Sequence, residues 1–203
     1  MPKIVDHQQK RNEIAAAACQ TIAEYGLAAS SMRMIARAAN CSTGTITHYF
    51  PDKNALLVAA IDYSADQQIT ATEILATESP QDLVGNLRNL LPVNDVNRLT
   101  AKMFLAFWNR SSNSVQINQL QYGLHKRYQQ LVTKLLRKAG SSSDAKITDD
   151  TECILTFING MTIRAVIEPE NWPPKKQTAA LRKYISLQIA HTTNPSQTMP
   201  AKA

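Results

Sequence analysis

The sequence predicts an all-α protein of about nine helices, a small three-helix unit leading a larger helical one. Three observations carry this. Glycine is scarce (6 in 203 residues), alanine and leucine are plentiful, and strong strand runs are absent. Apolar residues recur at spacings of three and four, the period of a helix with one buried face. Near residue 40, two short helical segments meet across a tight turn, Asn40-Cys41-Ser42, a helix-turn-helix pattern.

The elements follow in order. A first helix runs from about Asp6 to Tyr25 on the stripe Ile14, Ala18, Ile22, Tyr25, and Gly26 stops it. A second holds Met32, Ile35, Ala36 and Ala39 and ends at Asn40, a residue that tolerates the left-handed turn. Ser42 caps a third over Thr43 to Tyr49. Pro51-Asp52 breaks the chain, and Asp52 caps a long fourth helix carrying Leu56, Leu57, Ala60 and Ile61. Ser79-Pro80-Gln81-Asp82 reads as the start of a fifth, with Ser79 as cap and Pro80 in the first position. Pro92 and Asn94-Asp95 separate it from a sixth with Leu99, Met103, Phe104, Phe107 and Trp108. After a loop at Ser111–Ser114, a seventh helix reaches about Ala139 on Leu120, Leu124, Tyr128, Leu131 and Leu135. The polar loop G-S-S-S-D precedes an eighth, expected near Thr148, with Asp149, Asp150 and Glu152 as charges at its N-terminus. The ninth covers roughly 174–191 with Leu181, Ile185 and Ile189. The expected division is residues 1–53, 54–191 and a disordered tail, 192–203.

The formal charge is +6, unevenly distributed: residues 54–100 hold two Lys/Arg against six acids, and residues 101–140 hold seven against none. The basic run from Lys102 to Lys138 reads as a solvated helix face, with long-range attraction of DNA as the alternative. The three cysteines, Cys19, Cys41 and Cys153, have no metal or redox spacing, which suits a reducing, cytoplasmic setting. No apolar run is long enough to span a membrane, and the N-terminus lacks the apolar core of a signal peptide. The four histidines are scattered, no phosphate-cradling glycine loop occurs, and no catalytic constellation appears. An enzyme, a bound metal and a cofactor are therefore not expected.

The third helix has an unusual composition, T-G-T-I-T-H-Y. In a helix-turn-helix the second helix of the motif enters the major groove of DNA. Threonine offers a hydroxyl to base edges and a methyl to thymine, and Gly44 permits close approach. Ile46 fits an inward anchor. A polar turn within any helical bundle is the alternative.

The array M-R-M-I-A-R-A-A-N-C-S-T-G-T-I-T-H-Y-F-P-D-K-N-A-L-L resembles the DNA-binding domain of TetR-family repressors, over about residues 8–68. The stretches S-T-G-T-I-T-H-Y-F-P-D-K-N, L-A-F-W and F-I-N-G-M-T-I-R-A resemble the BetI group, repressors of choline-to-glycine-betaine genes. The resemblance implies a three-helix DNA-binding domain followed by a helical ligand-binding and dimerisation domain. It places Thr43, Thr45 and Thr47 toward the groove, Gly44 close to the duplex, and His48 and Tyr49 along the sugar-phosphate edge. Arg33 would reach the groove lip, Lys53 a phosphate at the fourth helix's N-terminus, and Ser31 and Ser42 would add phosphate hydrogen bonds. The expected partners are double-stranded operator DNA, a second copy of the chain through the eighth and ninth helices, and a small-molecule effector such as choline. Phe104, Phe107 and Trp108, approached by Tyr122, Phe157 and Trp172, are the candidate effector wall; core packing is the alternative. One departure stands out: after Gly160-Met161, where the BetI pattern has a tryptophan, this chain has Thr162. Two other functions remain open, a regulator answering an unrelated hydrophobic ligand and a helical binding or scaffold protein without operator-specific DNA binding.

Overall fold

A computed structural model describes residues 7–111, 115–140 and 144–193. Among them are nine α-helices and no strand: α1 (His7–Tyr25), α2 (Met32–Ala38), α3 (Thr43–Tyr49), α4 (Lys53–Glu78), α5 (Leu83–Arg88), α6 (Asp95–Ser111), α7 (Val115–Lys138), α8 (Asp144–Ile167) and α9 (Pro174–Thr193). The expected loops at Ser112–Ser114 and Ser141–Ser143, and residues 194–203 of the expected tail, lie outside the described residues. α9 itself runs through Thr193, past the expected end at 191.

α1, α2 and α3 close over the start of α4. Ile14, Ala18, Ile35, Ile46, Phe50 and Leu56 from these elements have no exposed surface. Each large apolar side chain so buried contributes about 1.5–3 kcal/mol. α1 ends where Gly26 takes φ 79°, a backbone state that costs glycine little. The buried Ser30 hydroxyl ties the next turn down, donating to the Gly26 carbonyl at 2.7 Å. α2 ends in a Schellman motif: Asn40 sits at φ 52°, its N–H donates to the Arg37 carbonyl (3.2 Å), and the Cys41 N–H donates to Ala36 (2.9 Å).

α4 has 26 residues, about 39 Å of helix at 1.5 Å per residue. It begins in the N-terminal bundle and ends between α5, α6 and α7. Its buried face turns from Leu56, Leu57 and Ile61 to the polar Ser64, Gln68 and Thr72. Buried polar groups need partners. Ser64 donates to Thr100 on α6 (2.8 Å), and Gln68 Nε2 donates to the Asn89 carbonyl (3.1 Å). Asn89 Nδ2 donates to Thr72 (2.8 Å), and Tyr128 of α7 donates to Gln68 Oε1 (2.8 Å).

Three expectations are corrected. Ser79 is the C-cap of α4 rather than the N-cap of α5, its N–H donating to the Leu75 carbonyl. Asp82 caps α5, accepting from the Gly85 N–H at 2.8 Å, while Asn86 Nδ2 holds the Ser79 carbonyl at 3.0 Å. A side chain at Gly85 would collide with that carboxylate. Second, α8 starts at Asp144, so Asp149, Asp150 and Glu152 lie beyond its first turn. Glu152 instead faces α7, where it accepts from Gln129 and lies 3.7 Å from His125 Nε2. Third, the basic run is not simply solvated. Arg127 pairs with Asp62 and Asp66 of α4, Lys134 pairs with Glu73, and Lys138 donates to the Ala76 carbonyl.

Candidate DNA interface and effector cavity

Ser42 caps α3, accepting from the Thr45 N–H at 2.9 Å, and Ile46 anchors the helix with no exposed surface. That anchor leaves Thr43, Gly44, Thr47 and His48 exposed on the opposite side. Thr45 and Tyr49 are half-buried. The Thr45 hydroxyl lies 2.9 Å from Ser42 Oγ, and the Thr47 hydroxyl donates to the Gly44 carbonyl at 3.0 Å. A Cβ on Gly44 would meet only Ser42 Oγ, at an ordinary 3.5 Å, so the fold itself does not demand glycine there.

The other candidates surround α3. Arg33 is exposed on α2, and Ser31 is that helix's N-cap, accepting from Met34 N–H at 3.2 Å. Lys53, the first residue of α4, is half-buried and its Nζ lies 3.5 Å from the Leu27 carbonyl. Sequence reasoning missed two residues of α1. Arg11 donates to the Tyr49 carbonyl at 2.7 Å and stacks over Phe50 at 4.4 Å, fixing the C-terminal end of α3. The His7 ring lies 5.9 Å from His48 and 5.3 Å from Tyr49, centroid to centroid. Neither had a local signal, because the contacts cross from one helix to another.

A cavity of about 330 Å³ opens between α4, α6, α7 and α8. Phe104, Trp108 and Tyr122 line it, joined by Tyr128 and His125, which sequence reasoning had not placed there. Phe104 meets the Tyr128 ring edge-on at 5.6 Å. Thr162 is also in the wall. Three expected members lie elsewhere. Phe107 is 1% exposed and belongs to the core. Phe157 stacks on Tyr184 of α9 at 4.3 Å. Trp172, in the turn before α9, is held between Arg164 and Lys176, at 4.8 and 4.4 Å from its ring centre. No Asp or Glu lines the cavity among the described residues. Among those residues there is also no metal-holding group of three or more His, Cys, Asp or Glu, and no helix long and apolar enough to cross a membrane.

A helix-turn-helix with its second helix open to solvent, joined through one long helix to a unit holding an aromatic cavity, has the build of a ligand-responsive transcription regulator. Residues 14–60 match the model for bacterial regulatory proteins of the tetR family, and residues 81–190 match that for the BetI-type transcriptional repressor, C-terminal. The chain belongs to the TetR family of transcriptional regulators, with a BetI-type C-terminal region. It is 27% identical over 194 residues to the HTH-type transcriptional regulator BetI of Paraburkholderia phytofirmans, covering 94% of this chain and 98% of that one. The BetI regulator of Serratia proteamaculans is 26% identical over 200 residues, 96% and 100% of the two chains. Among solved structures, a transcriptional regulator from Rhodococcus sp. Rha1 superposes with a TM-score of 0.75 at 21% identity, over 94% of this chain and 99% of that one. A transcriptional regulator from Saccharomonospora viridis, solved in complex with choline, gives 0.70 at 21% identity, over 88% and 96%. These likenesses are to regulators and not to enzymes.

Proposed function

We propose that the chain is a homodimeric operator-binding repressor of glycine-betaine synthesis genes, released when choline or a related small organic cation enters the cavity. The convergence of Phe104, Trp108, Tyr122 and Tyr128 on one cavity carries the effector reading. Each aromatic face contributes about 2 kcal/mol to a desolvated cation, so several faces are needed for useful affinity. The choline complex of the Saccharomonospora viridis regulator supports the same ligand class. Gln68 and Tyr128 are both cavity wall and members of the polar network on α4, the helix that begins beside α3. Occupancy therefore has a physical route to the DNA-binding end.

On DNA, Thr43, Gly44, Thr47 and His48 are the groove-facing set, with Thr45 holding the cap of α3. Arg33, Lys53, Tyr49, Ser31 and Ser42 flank it toward the backbone. Calorimetry with choline and its neutral isostere 3,3-dimethylbutan-1-ol, with and without operator DNA, tests the effector. Choline is expected to bind more tightly and to weaken operator binding. Equal binding of the isostere would favour the hydrophobic-ligand reading. On the DNA side, Thr47→Ala should cost about 1–3 kcal/mol on the operator, but little on random DNA. Lys53→Ala should weaken both and flatten the salt slope. Binding that ignores sequence in the unaltered protein would leave a scaffold role.

A further inference from the structure

Gln121 sits on the cavity-facing side of α7, in line with His125 and Tyr128 at spacings of four and three. Its side-chain Nε2 is buried and has no hydrogen-bond partner among the described residues. A buried amide donor left unpaired is unfavourable, and in a folded protein it calls for an explanation. Three other polar groups of the wall, Gln68, Asn97 and Thr100, are already engaged. Gln68 accepts from Tyr128 and donates to Asn89, Asn97 donates to the Asn89 carbonyl at 2.8 Å, and Thr100 accepts from Ser64. The described wall carries no carboxylate to neutralise a cation. An oxygen-free ammonium ion would use the aromatic faces and leave Gln121 as it is.

We infer that the effector carries, besides its ammonium head, an oxygen group that accepts a hydrogen bond from Gln121 Nε2, making Gln121 a specificity-determining residue of the cavity. This rests on the cation reading above for the ammonium head, but not for the oxygen. A hydroxyl and a carboxylate both meet the requirement, and the carboxylate would also cancel the ligand's charge inside a wall that has none to offer.

The test is calorimetry of the full-length protein with three probes: choline (hydroxyl), glycine betaine (carboxylate) and tetramethylammonium (no oxygen). The better oxygen-bearing probe is expected to bind about tenfold more tightly than tetramethylammonium, the scale of one desolvated hydrogen bond. In Gln121→Leu that preference should collapse while tetramethylammonium binding holds. Because Gln121 Nε2 makes no internal bond and its burial is unfavourable, the variant should melt at or above the wild-type temperature. Gln121→Glu separates the two oxygens: it should abolish a carboxylate preference and keep a hydroxyl one. Equal binding of tetramethylammonium by the wild type, or an unchanged preference in Gln121→Leu, would overturn the inference. If 3,3-dimethylbutan-1-ol binds as choline does and Gln121→Leu weakens both, the cation reading falls and the oxygen anchor stands. If none of these probes binds the wild type, both fall.

Discussion

Asn40 shows how much one residue decides. Its φ of 52° sets the angle between α2 and α3, and so the way α3 meets DNA. The left-handed state costs most L-residues about 1–2 kcal/mol, and asparagine enters it more readily than others. Asn40→Gly is therefore expected to leave urea stability unchanged or raise it. Asn40→Val should lower stability by about 1–2 kcal/mol, since a β-branched side chain fits that backbone worst. Denaturation curves check both, and a Val variant as stable as the wild type would mean the turn is not under this constraint. Asn40 was legible in the sequence because its signal is local. Gln121 was not: nothing in L-Q-Y-G distinguishes a solvated glutamine from one facing a cavity. Thr45 lies between these cases. Its place on α3 was evident, but its hydroxyl bond to Ser42 required the folded cap.

At the scale of elements, α4 and α7 explain each other. The acidic segment and the basic segment noted in the sequence meet as pairs, Arg127 with Asp62 and Asp66, Lys134 with Glu73. These groups are partly exposed, so the pairs set register more than stability. The buried contact between the same helices is Tyr128 to Gln68. Burial disfavours the phenolate and raises the Tyr128 hydroxyl above its ordinary 10.0. The folded state thus keeps a proton that the unfolded chain has lost. The contribution is whole below pH 10 and fades as pH climbs toward the raised folded value. Stability should fall on raising pH above 10, and Tyr128→Phe should remove part of that fall. At neutral pH the same variant should cost about 1–3 kcal/mol, because Gln68 Oε1 is left unpaired. Urea titrations at pH 7 and above pH 10 give both numbers, and an identical pH slope in the variant would exclude Tyr128 as the titrating group.

At the scale of the whole molecule, the described surface carries large apolar side chains that the single chain does not cover. Ile167 on α8 and Leu187 on α9 are 69% and 53% exposed. A second copy related by a two-fold axis would cover both at once. The expected result of light scattering is twice the 22.5 kDa chain mass at micromolar protein. Two α3 helices would then lie about one DNA turn apart, ~34–36 Å, on an imperfect palindrome. Ile167→Glu with Leu187→Glu should shift the protein toward monomer and weaken operator binding with it. A monomer in the unaltered protein, with or without DNA, would refute the arrangement.

The sequence by itself determined the helical class, the helix-turn-helix and the position of α3. Caps at Ser42 and Asp52, the turn at Asn40 and the apolar spacings act within a few residues, so their physics is present in the string. Only the tertiary structure decided which side chains share a space. Phe104 and Phe107 stand three residues apart on one helix, yet one lines the cavity and the other fills the core. Ser79 and Asp82 are both good capping residues by type, yet in the fold Ser79 closes α4 and Asp82 alone caps α5. The cavity wall is drawn from four helices distant in sequence, and packing among distant segments leaves no periodic trace in any one of them.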